Sequence, residues 1–592
     1  MKFKPRGANA AAEPGSEDVA SSNPGRDGAD AYTKWPNLAT MMFDRARQWP
    51  YQPMLRSFRN GAWHGVNWGQ FAVMAASVAR HLRAAGVSAG DRVMIVSENR
   101  PEYPIVETAL MAIRAVPVPT YTTNTVEDHK HILEDSGARV AVVSTAALAL
   151  KVAAAGPLDL LISMEPFDAT GVKTALWEDF IADTADFGDI EAEAAEIPNT
   201  ALACMIYTSG TGGSPKGVML PHRAILSNCR GAYILTLQLN LHRETYLSFL
   251  PLSHSYEHTA GQFLFLSIGT EIVYARGVEH LAADMLTVRP TLMTMVPRVL
   301  EVIRSRIMSQ VARQPAAKRK LFDKALEIGI KRVDRKKLSL LELVLDPILD
   351  RLVRKKVRDR FGGRLVAAIS GGARLEPEVG RFHLAMGILI IQGYGQTEAG
   401  PIISANPPND CRVDTVGTPL EGVELRIAGD GEILVRGDLV MHGYWGRPDE
   451  TAHTVRDGWL HTGDIGTLDA DNYLRITDRK KDMIVLSGGE NVSPARIEGM
   501  LIAEPAIAQA VVIGEGRSGL TALVVAAEGF DEVAVASAVS DVNKRLSVTE
   551  RIRRHGVVAP FTIDNGLMTA TQKIKRHLVR EAHADVLEKL GA

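Results

Sequence analysis

A glycine-rich segment at residues 207–218, reading YTSGTGGSPKGV, carries the groups best suited to hold an anion. It follows an apolar run, residues 201–206, that predicts a short buried strand. Glycines let backbone N–H groups turn inward and approach an anion closely. Hydroxyl groups donate to phosphate oxygens, and a lysine adds positive charge. The segment therefore predicts a phosphate-binding loop, with contacts from Thr208, Ser209, Gly210, Thr211, Gly212, Gly213, Ser214 and Lys216.

This loop is not a Walker P-loop. That motif needs a lysine directly after its second glycine, whereas Gly212 is followed at the right distance by Gly217 and then Val218. The loop therefore indicates a different class of phosphate-binding protein.

Two more glycine turns follow apolar runs further along the chain. Residues 365–369 lead into Ser370, Gly371, Gly372 and Ala373, and residues 388–391 lead into the sequence GYGQTE at 393–398. Two successive strand-to-turn units would place both loops side by side at one sheet edge. Such a slot, with a backbone floor and an aromatic wall, suits a flat base such as adenine.

Later polar motifs add candidate ligands. Asp464, in WLHTGD, is a good bidentate acceptor for two ribose hydroxyls. Arg479 and Lys481 follow in ITDRKKD, a pair of glycines lies in SGGENVSP at 487–494, and Lys573 lies in MTATQKIKR at 568–576.

Together these motifs resemble the adenylate-forming superfamily, which includes acyl-CoA synthetases, firefly luciferase and peptide-synthetase adenylation domains. The first loop is similar to the superfamily's TSGTTGxPKG, with Gly212 in place of a threonine, so one hydroxyl group of that motif is absent here. The resemblance covers residues 35 to the end. The basic stretch before SGGA is more similar to long-chain fatty acyl-CoA synthetases than to their short-acid relatives.

The resemblance implies a role for each motif. It implies ATP, Mg²⁺ and coenzyme A as cofactor and co-substrates, with Tyr394 stacking on adenine beside Gly395, and Glu398 helping to hold Mg²⁺. It implies ATP or AMP contacts from the first loop and from Gly371, Gly372, Ala373, Asp464 and Arg479. It also implies a hinge at Lys481, a coenzyme A channel at Gly488 and Gly489, and catalytic roles for His254, Thr397, Glu398 and Lys573. For His254 an ordinary structural hydrogen bond is an equally good interpretation.

Composition sets the outer limits. At 592 residues the chain is longer than a single hydrophobic core usually supports, so we expect two or more domains. Its net charge of −2 gives no indication of a nucleic-acid ligand. The three cysteines, Cys204, Cys229 and Cys411, are scattered without CxxC spacing, which indicates small buried side chains in a reducing compartment. No apolar run is long enough to span a bilayer, and no signal-peptide core is present, so we expect a cytoplasmic protein.

Alternating apolar runs and amphipathic periods predict the fold. Strand and helix alternate at the spacing of parallel sheets with crossover helices, so we expect an α/β protein with parallel-rich sheets flanked by helices. We expect a disordered tail at 1–33, an AMP- and acyl-binding domain at 34–479, and a small mobile α+β domain at 480–592.

Several alternatives stay open. Residues 313–337 and 351–364 are basic and helical, which indicates either solvated faces or a patch for acidic lipid head groups or coenzyme A phosphates. Peripheral membrane contact through 313–364 and a homodimer are open. The main interpretation is a long-chain fatty acid–CoA ligase. Its rivals are an acyl-AMP ligase, a ligase for medium-chain or aromatic acids, and a non-catalytic acyl- or nucleotide-binding protein. No carrier-protein sequence follows the lysine motif, which weighs against a peptide-synthetase module.

Overall fold

The computed structural model of the protein describes residues 28–167, 171–183, 185–208, 214–487, 490–568 and 574–591. Eight of the candidate site residues lie outside these ranges: Ser209, Gly210, Thr211, Gly212, Gly213, Gly488, Gly489 and Lys573. By its internal contacts the chain divides into two compact units. The first comprises 1–208, 216–424 and 435–460, and the second comprises 209–215, 425–434 and 461–592. The predicted division at residues 479 and 480 stays a prediction.

The first unit contains a nine-stranded sheet that is parallel in its middle and antiparallel at both edges. In spatial order its strands are Thr418–Pro419, Ile402–Ala405, Ile390–Gly395, Ala367–Ser370, Leu292–Met295, Thr245–Ser248, Glu271–Tyr274, Pro53–Arg59 and Ala62–Asn67.

Two smaller sheets also lie in this unit. One is parallel throughout, in the order Val116–Thr120, Arg92–Val96, Val140–Val143, Leu160–Ser163 and Thr174–Leu176. The other is antiparallel, in the order Gly443–Tyr444, Lys216–Pro221 and Leu202–Thr208. The alternating pattern therefore forms the predicted parallel-rich α/β architecture.

Helices connect and cover these sheets. The α-helices of the first unit are Ala31–Lys34, Leu38–Gln48, Trp68–Ala84, Glu102–Ala112, Val126–Ser136, Ala146–Ala155, Trp177–Phe180, Gly188–Ala195, His222–Thr236, Leu264–Ser267, Leu281–Val288, Pro297–Ala312, Ala316–Val333, Leu340–Leu349, Lys355–Asp359, Pro377–Ala385 and Pro448–Thr454. Two π-helical segments, Glu257–Phe263 and Asp350–Arg354, interrupt this pattern. None of the helices in the described part of the chain is both long enough and apolar enough to cross a bilayer.

Local sequence signals explain where helices begin. Asn67 and Gln70 form a capping box at the start of Trp68–Ala84, which satisfies backbone N–H groups that the first turn leaves unpaired. Pro297 occupies the first turn of Pro297–Ala312, where its missing N–H costs nothing. Apolar residues spaced by four in this helix pack on the core beside the large sheet, as their period predicts: Val299, Ile303, Ile307 and Val311.

The second unit has its own core. The strands Ile507–Ile513, Leu520–Ala526 and Ile552–Val557 form a three-stranded sheet, with the helices Pro494–Ile502, Glu532–Asn543, Arg576–Ala582 and Ala584–Lys589. Apolar runs in the sequence predict only the first two strands, at 510–513 and 521–526, with helices after them. The sequence of the third strand, IRRHGV, has few apolar residues, and most of its side chains are exposed or half-buried. An apolar pattern therefore could not predict it. Strands Trp459–Leu468 and Leu474–Arg479 pair as a hairpin, and Ile484–Val485 pairs with Asn491–Val492.

The three cysteines are free thiols, as predicted. Cys204 and Cys229 are buried, and Cys411 is partly buried with Sγ 3.1 Å from the carbonyl oxygen of Ile390. Burial raises the pKa of each thiol, so these side chains behave as small apolar groups.

Candidate active site

The first glycine-rich segment joins two antiparallel strands. Strand Leu202–Thr208 precedes it, strand Lys216–Pro221 follows it, and Thr208 pairs directly with Lys216 across the ladder. Residues 209–213 lie outside the described residues. This pairing therefore places the candidate hydroxyl of Thr208 and the ammonium of Lys216 at the same end of two strands.

Lys216 is surrounded by groups from a neighbouring strand and helix. Its Nζ lies 5.1 Å from the centroid of the Tyr444 ring and forms an ion pair with Glu450. The hydrogen bond from Lys216 lowers the pKa of the Glu450 carboxyl below its ordinary value. Tyr444 follows Gly443 on the strand that pairs with Val218, so backbone pairing fixes its ring beside the lysine.

Tyr444 also connects this lysine to the GYGQTE motif. Its hydroxyl donates to Oε1 of Glu398 over 2.8 Å, and the backbone N–H of Met441 donates to the carbonyl oxygen of Glu398. Burial and the neighbouring carboxylate raise the pKa of Tyr444, which keeps its hydroxyl a donor. A short chain of contacts thus joins the first loop to the candidate metal ligand.

The SGGA and GYGQTE turns lie side by side, as the sequence predicts. They follow strands Ala367–Ser370 and Ile390–Gly395, which are parallel neighbours in the large sheet with Ser370 opposite Gln392. Gly372 has a φ of +79°, a left-handed conformation that other residues rarely adopt. Both turns therefore open at the carboxyl edge of the sheet, where ligands bind in α/β proteins.

The segment Ser253–His258 packs against both turns. The Ser255 hydroxyl lies 2.8 Å from the Thr397 hydroxyl, and the Tyr256 hydroxyl donates to the carbonyl oxygen of Ile369 over 2.9 Å. A Cβ atom on Gly371 would lie 3.0 Å from Cζ of Tyr256, so this glycine allows the tyrosine ring to rest on the backbone. The half-buried His254 accepts a hydrogen bond at Nδ1 from the Tyr256 backbone N–H over 3.1 Å.

A buried polar network lies directly behind this segment. Glu257 is fully buried and accepts hydrogen bonds from the hydroxyls of Tyr246 and Ser248, both over 2.6 Å, and of Thr294 over 2.5 Å. Burial raises the pKa of the Glu257 carboxyl to about 7, although the three donated hydrogen bonds act in the opposite direction. The strands that carry Tyr246, Ser248 and Thr294 therefore anchor the first residue of the π-helix Glu257–Phe263.

A second buried pair anchors the same π-helix. Nε2 of His258 lies 2.5 Å from Oε1 of Glu107, and Nε2 of Gln262 donates to the other carboxylate oxygen over 2.7 Å. All three side chains are fully buried. Two buried carboxylates, Glu257 and Glu107, thus support the segment Ser253–His258.

In the second unit, Asp464 and Arg479 lie next to each other. They are directly paired in the hairpin ladder, and Nε of Arg479 lies 3.2 Å from Oδ1 of the buried Asp464. The adjacent Asp478 accepts hydrogen bonds from the Ser493 hydroxyl over 2.5 Å and from the Ala495 backbone N–H. This ties the hairpin to the first turn of helix Pro494–Ile502.

The donor set is compatible with Mg²⁺. Among the described residues no group of three or more histidine, cysteine, aspartate or glutamate side chains could hold a metal on its own. Mg²⁺ usually takes only one or two carboxylates and completes its coordination with water and substrate phosphates. The single carboxylate of Glu398, oriented by Tyr444, fits that pattern.

Several site residues escaped the sequence analysis. Tyr444 and Glu450 lie in GYWGRPDET at 443–451, and Tyr256 lies in SHSYEH at 253–258, two residues after His254. Their contacts join segments far apart in the chain, so no local spacing could reveal them. Tyr207 is also fixed at a distance, since its hydroxyl donates to Asp135 over 2.7 Å.

This site and fold place the chain in a known class. A family model for AMP-binding enzymes matches residues 42–445, and a model for the C-terminal domain of AMP-binding enzymes matches residues 481–591. The chain therefore belongs to the AMP-binding enzyme family, as the sequence motifs predicted.

Individual relatives can be named within that family. The long-chain-fatty-acid–CoA ligase FadD15 of Mycobacterium tuberculosis is 33% identical over 583 residues, covering 94% of this chain and 97% of that protein. The peroxisomal long chain acyl-CoA synthetase 6 of Arabidopsis thaliana is 29% identical, covering 90% and 83%. Among solved structures, the anthranilate CoA ligase AuaEII with anthranoyl-AMP superposes with a TM-score of 0.73 at 20% identity, covering 95% of this chain and 100% of that one. At that identity the structural likeness establishes the adenylate-forming fold.

Proposed function

We propose that this protein is an AMP-forming long-chain fatty acid–CoA ligase. The observation that carries the proposal is the 33% identity to FadD15 over nearly the whole length of both chains. That match covers 94% of this chain, and the two family models match residues 42–445 and 481–591. A shared fold alone would not specify the acid, since the same fold serves many acids.

The proposed reaction has two steps. In the first, a carboxylate oxygen of the fatty acid attacks the α-phosphorus of ATP, the bond from that phosphorus to the bridging oxygen breaks, and pyrophosphate leaves. In the second, the thiol of coenzyme A attacks the carbonyl of the acyl-adenylate, loses its proton, and AMP leaves with the electrons of the cleaved C–O bond. Both reactants of the first step are anions, so catalysis requires charge neutralisation and alignment.

The first unit supplies groups for the nucleotide and the acid. Thr208 and Lys216 would bind terminal phosphates, and Thr397 would bind the α-phosphate beside Ser255. Glu398 would hold Mg²⁺, which when bound offsets the charge that develops on pyrophosphate. Backbone of the SGGA turn and the ring of Tyr394 would enclose adenine, and His254 would line the approach of the acid.

Glu450 gives this scheme a specific consequence. Its ion pair with Lys216 occupies the ammonium that would bind phosphate. ATP binding would therefore exchange one anionic partner of Lys216 for another. Because the side chain of Glu450 is 39% exposed, it can turn into water when the phosphate replaces it.

The second unit would supply the remaining contacts. Asp464 and Arg479 would bind the ribose, and Lys573 would bridge the carboxylate and the α-phosphate during the first step. The family resemblance implies that the 480–592 domain then rotates about Lys481 and brings Gly488 and Gly489 to the coenzyme A channel. We propose this division of labour for both steps.

The decisive experiment measures AMP release by purified protein with ATP, Mg²⁺ and saturated fatty acids of graded length, with and without coenzyme A. We expect coenzyme A-dependent release that is greatest with long chains. Pyrophosphate release without consumption of coenzyme A would instead identify an acyl-AMP ligase. A preference for medium-chain or aromatic acids would change the substrate class, and no turnover with any acid would favour a binding protein.

The roles of the two steps can be separated with Lys573→Ala. We expect this variant to lose adenylate formation while it largely retains thioester formation from supplied acyl-adenylate. Lys544→Ala, at an exposed lysine paired with Asp541 in the same unit, is the matched control and should retain both steps. Equal loss of both steps in Lys573→Ala would contradict the proposed division.

Cytoplasmic location, peripheral contact of the basic helices with the inner face of the membrane, and a homodimer also stay proposals. The basic stretch 313–364 supports the membrane contact electrostatically. It has seventeen lysines and arginines against seven aspartates and glutamates, a net charge of +10 in a chain whose total is −2.

A further inference from the structure

Helix Leu340–Leu349 and the π-helical segment after it present an unusual surface. Six of their large apolar side chains point into solvent, and we call this set the outer apolar face: Leu340, Leu341, Leu343, Val344, Ile348 and Leu352. Leu340, Leu341 and Val344 are 84%, 69% and 65% exposed, and the other three are about half exposed. Together they expose roughly 600 Å² of surface, as much as the largest apolar patch on a typical monomer.

The charged residues of the same helix point the opposite way. Glu342 is buried and accepts a hydrogen bond from Nζ of Lys331 over 2.6 Å. Asp346 is buried and paired with the buried Arg354 over 2.7 Å. A helix on a water-exposed surface normally turns its apolar side inward and its charges outward. This helix instead buries its charges beside the inward Leu349 and leaves six apolar side chains in water, so its outer side is suited to an apolar environment outside the protein.

Local capping shows that the inversion is built into the sequence. Ser339 and Glu342 form a capping box at the first turn, which fixes where the helix begins and which residues face inward. With Glu342 held inward, residues three and four positions apart on the far side form one continuous stripe. The outer apolar face is therefore a consequence of the inward salt bridges.

Positive charge surrounds the outer apolar face at both ends. Lys336 and Lys337 precede it, and Arg351, Lys355 and Lys356 follow or interleave with its last residues; all five are exposed. Within the described ranges no carboxylate pairs with Lys337, Arg351 or Lys356. The acidic residues of this segment are instead engaged by other cations, such as Asp350 by Arg358 over 2.8 Å.

From these observations we propose that the outer apolar face inserts into the interfacial region of an anionic lipid bilayer, while the flanking lysines and arginines bind lipid phosphates. Apolar side chains on one side of a helix with basic residues beside them are the signature of helices that lie in a membrane interface. A ligand with phosphates alone, such as coenzyme A, would use the cations but not the six apolar side chains.

Charge disfavours a second copy of the chain as the occupant. A twofold interface brings the same patch of both subunits together, so the basic rim of one copy, including Arg351 and Lys356, would meet the basic rim of the other. The first 27 residues are also unsuited to cover the face, since Met1, Phe3 and Val19 are their only large apolar residues. A bilayer supplies both the apolar and the anionic partner that this surface lacks.

The inference has a consequence for substrate supply. Long-chain acids partition into bilayers, so an enzyme that rests on the membrane would meet its substrate there. The docking proposal itself does not depend on the ligase activity. Vesicle binding can therefore succeed or fail independently of the proposed reaction.

The test is cosedimentation of the full chain with vesicles of phosphatidylcholine alone or mixed with phosphatidylglycerol. We expect binding to the mixed vesicles that weakens as salt is added, because salt screens the basic rim. The triple variant Leu341→Gln, Val344→Gln and Ile348→Gln should bind at least about tenfold more weakly, since each withdrawn side chain contributes several-fold. Glutamine keeps the helix propensity of these positions high.

The matched control carries three glutamines at exposed aliphatic residues elsewhere on the same unit: Leu237, Val278 and Leu286, which are 53%, 67% and 56% exposed. It should bind like the unmodified chain. Far-ultraviolet circular dichroism and tryptophan fluorescence check that both variants fold.

A second measurement follows the outer apolar face directly and does not depend on weakened binding of a variant. Val344→Cys labelled with an environment-sensitive dye should shift its emission to the blue on addition of mixed vesicles, while labelled Val278→Cys should not. Equal vesicle binding by the two triple variants, or no blue shift at residue 344, would overturn the proposal. So would a change of oligomeric state in the first triple variant without any vesicle binding by the unmodified chain, since the face would then join two copies.

Discussion

The buried carboxyl of Glu257 makes the stability of the first unit depend on pH. Its pKa is raised from the ordinary value of 4.5 to about 7 by burial. A carboxyl whose pKa is higher in the folded state contributes stability that is complete below about pH 4.5 and is lost as the pH rises through about 7. Between about pH 5 and pH 8 the shift corresponds to a loss of about 2–3 kcal/mol in the free energy of unfolding.

Glu257→Gln removes this titration while it retains the size of the side chain and an N–H donor in place of the acid proton. We expect the free energy of unfolding of the unmodified protein to fall by about 2–3 kcal/mol relative to that of the variant over the same range. Because glutamine mimics the protonated carboxyl, the two curves should lie closest at low pH and separate as the pH rises through about 7.

Urea unfolding followed by tryptophan fluorescence measures this difference for the relevant unit alone. All seven tryptophans, at 35, 49, 63, 68, 177, 445 and 459, belong to the first unit. Glu178→Gln, at an exposed carboxylate of the same unit, is the control and should shift the curve by a constant amount. A constant difference between the unmodified protein and Glu257→Gln would show that Glu257 is ionised in the folded state, which would refute the reasoning.

Three further substitutions test contacts around the site. Gly371→Ala would place Cβ 3.0 Å from the ring of Tyr256, so we expect a KM for ATP raised several-fold and a stability loss of about 1 kcal/mol; unchanged kinetics would contradict the close packing. Tyr444→Phe removes the hydroxyl that donates to the carboxylate of GYGQTE, a hydrogen bond to a charged group worth about 1.5–3 kcal/mol, and should lower kcat/KM for ATP without lowering stability by more than that amount. Arg354→Met leaves the buried Asp346 with one arginine instead of two, and urea unfolding should show a loss of about 3 kcal/mol; a neutral result would mean that the second arginine suffices.

Local patterns predicted much of the fold. Apolar runs and periods in the sequence predict helices at 38–49 and 68–85 and strands at 92–97 and 521–526. The structure has these elements at Leu38–Gln48, Trp68–Ala84, Arg92–Val96 and Leu520–Ala526. These elements have strong periodicity or clear capping residues, which act over a few positions. Strand Ile552–Val557 has neither, because it is an edge strand whose pairing partner at Leu520–Ala526 determines its conformation.

The same distinction applies to the candidate site. The glycine turns, Glu398, Asp464 and Arg479 could be found from sequence because each belongs to a contiguous motif with its own chemistry. The contact of Tyr444 with Glu398 joins residues 46 positions apart, and that of His258 with Glu107 joins residues 151 positions apart. No window along the chain contains both members of the second pair.

Sequence by itself determined the class of protein, the α/β architecture and the residues offered for nucleotide chemistry, because glycine turns, charge and periodicity are local properties. Only the tertiary structure decided which side of a helix faces water. The leucines at 340–352 have the composition of a core helix, yet the salt bridges of Glu342 and Asp346 with Lys331 and Arg354 turn the apolar side outward. Burial depends on which distant residues pair with the charges, and that pairing exists only in the folded chain.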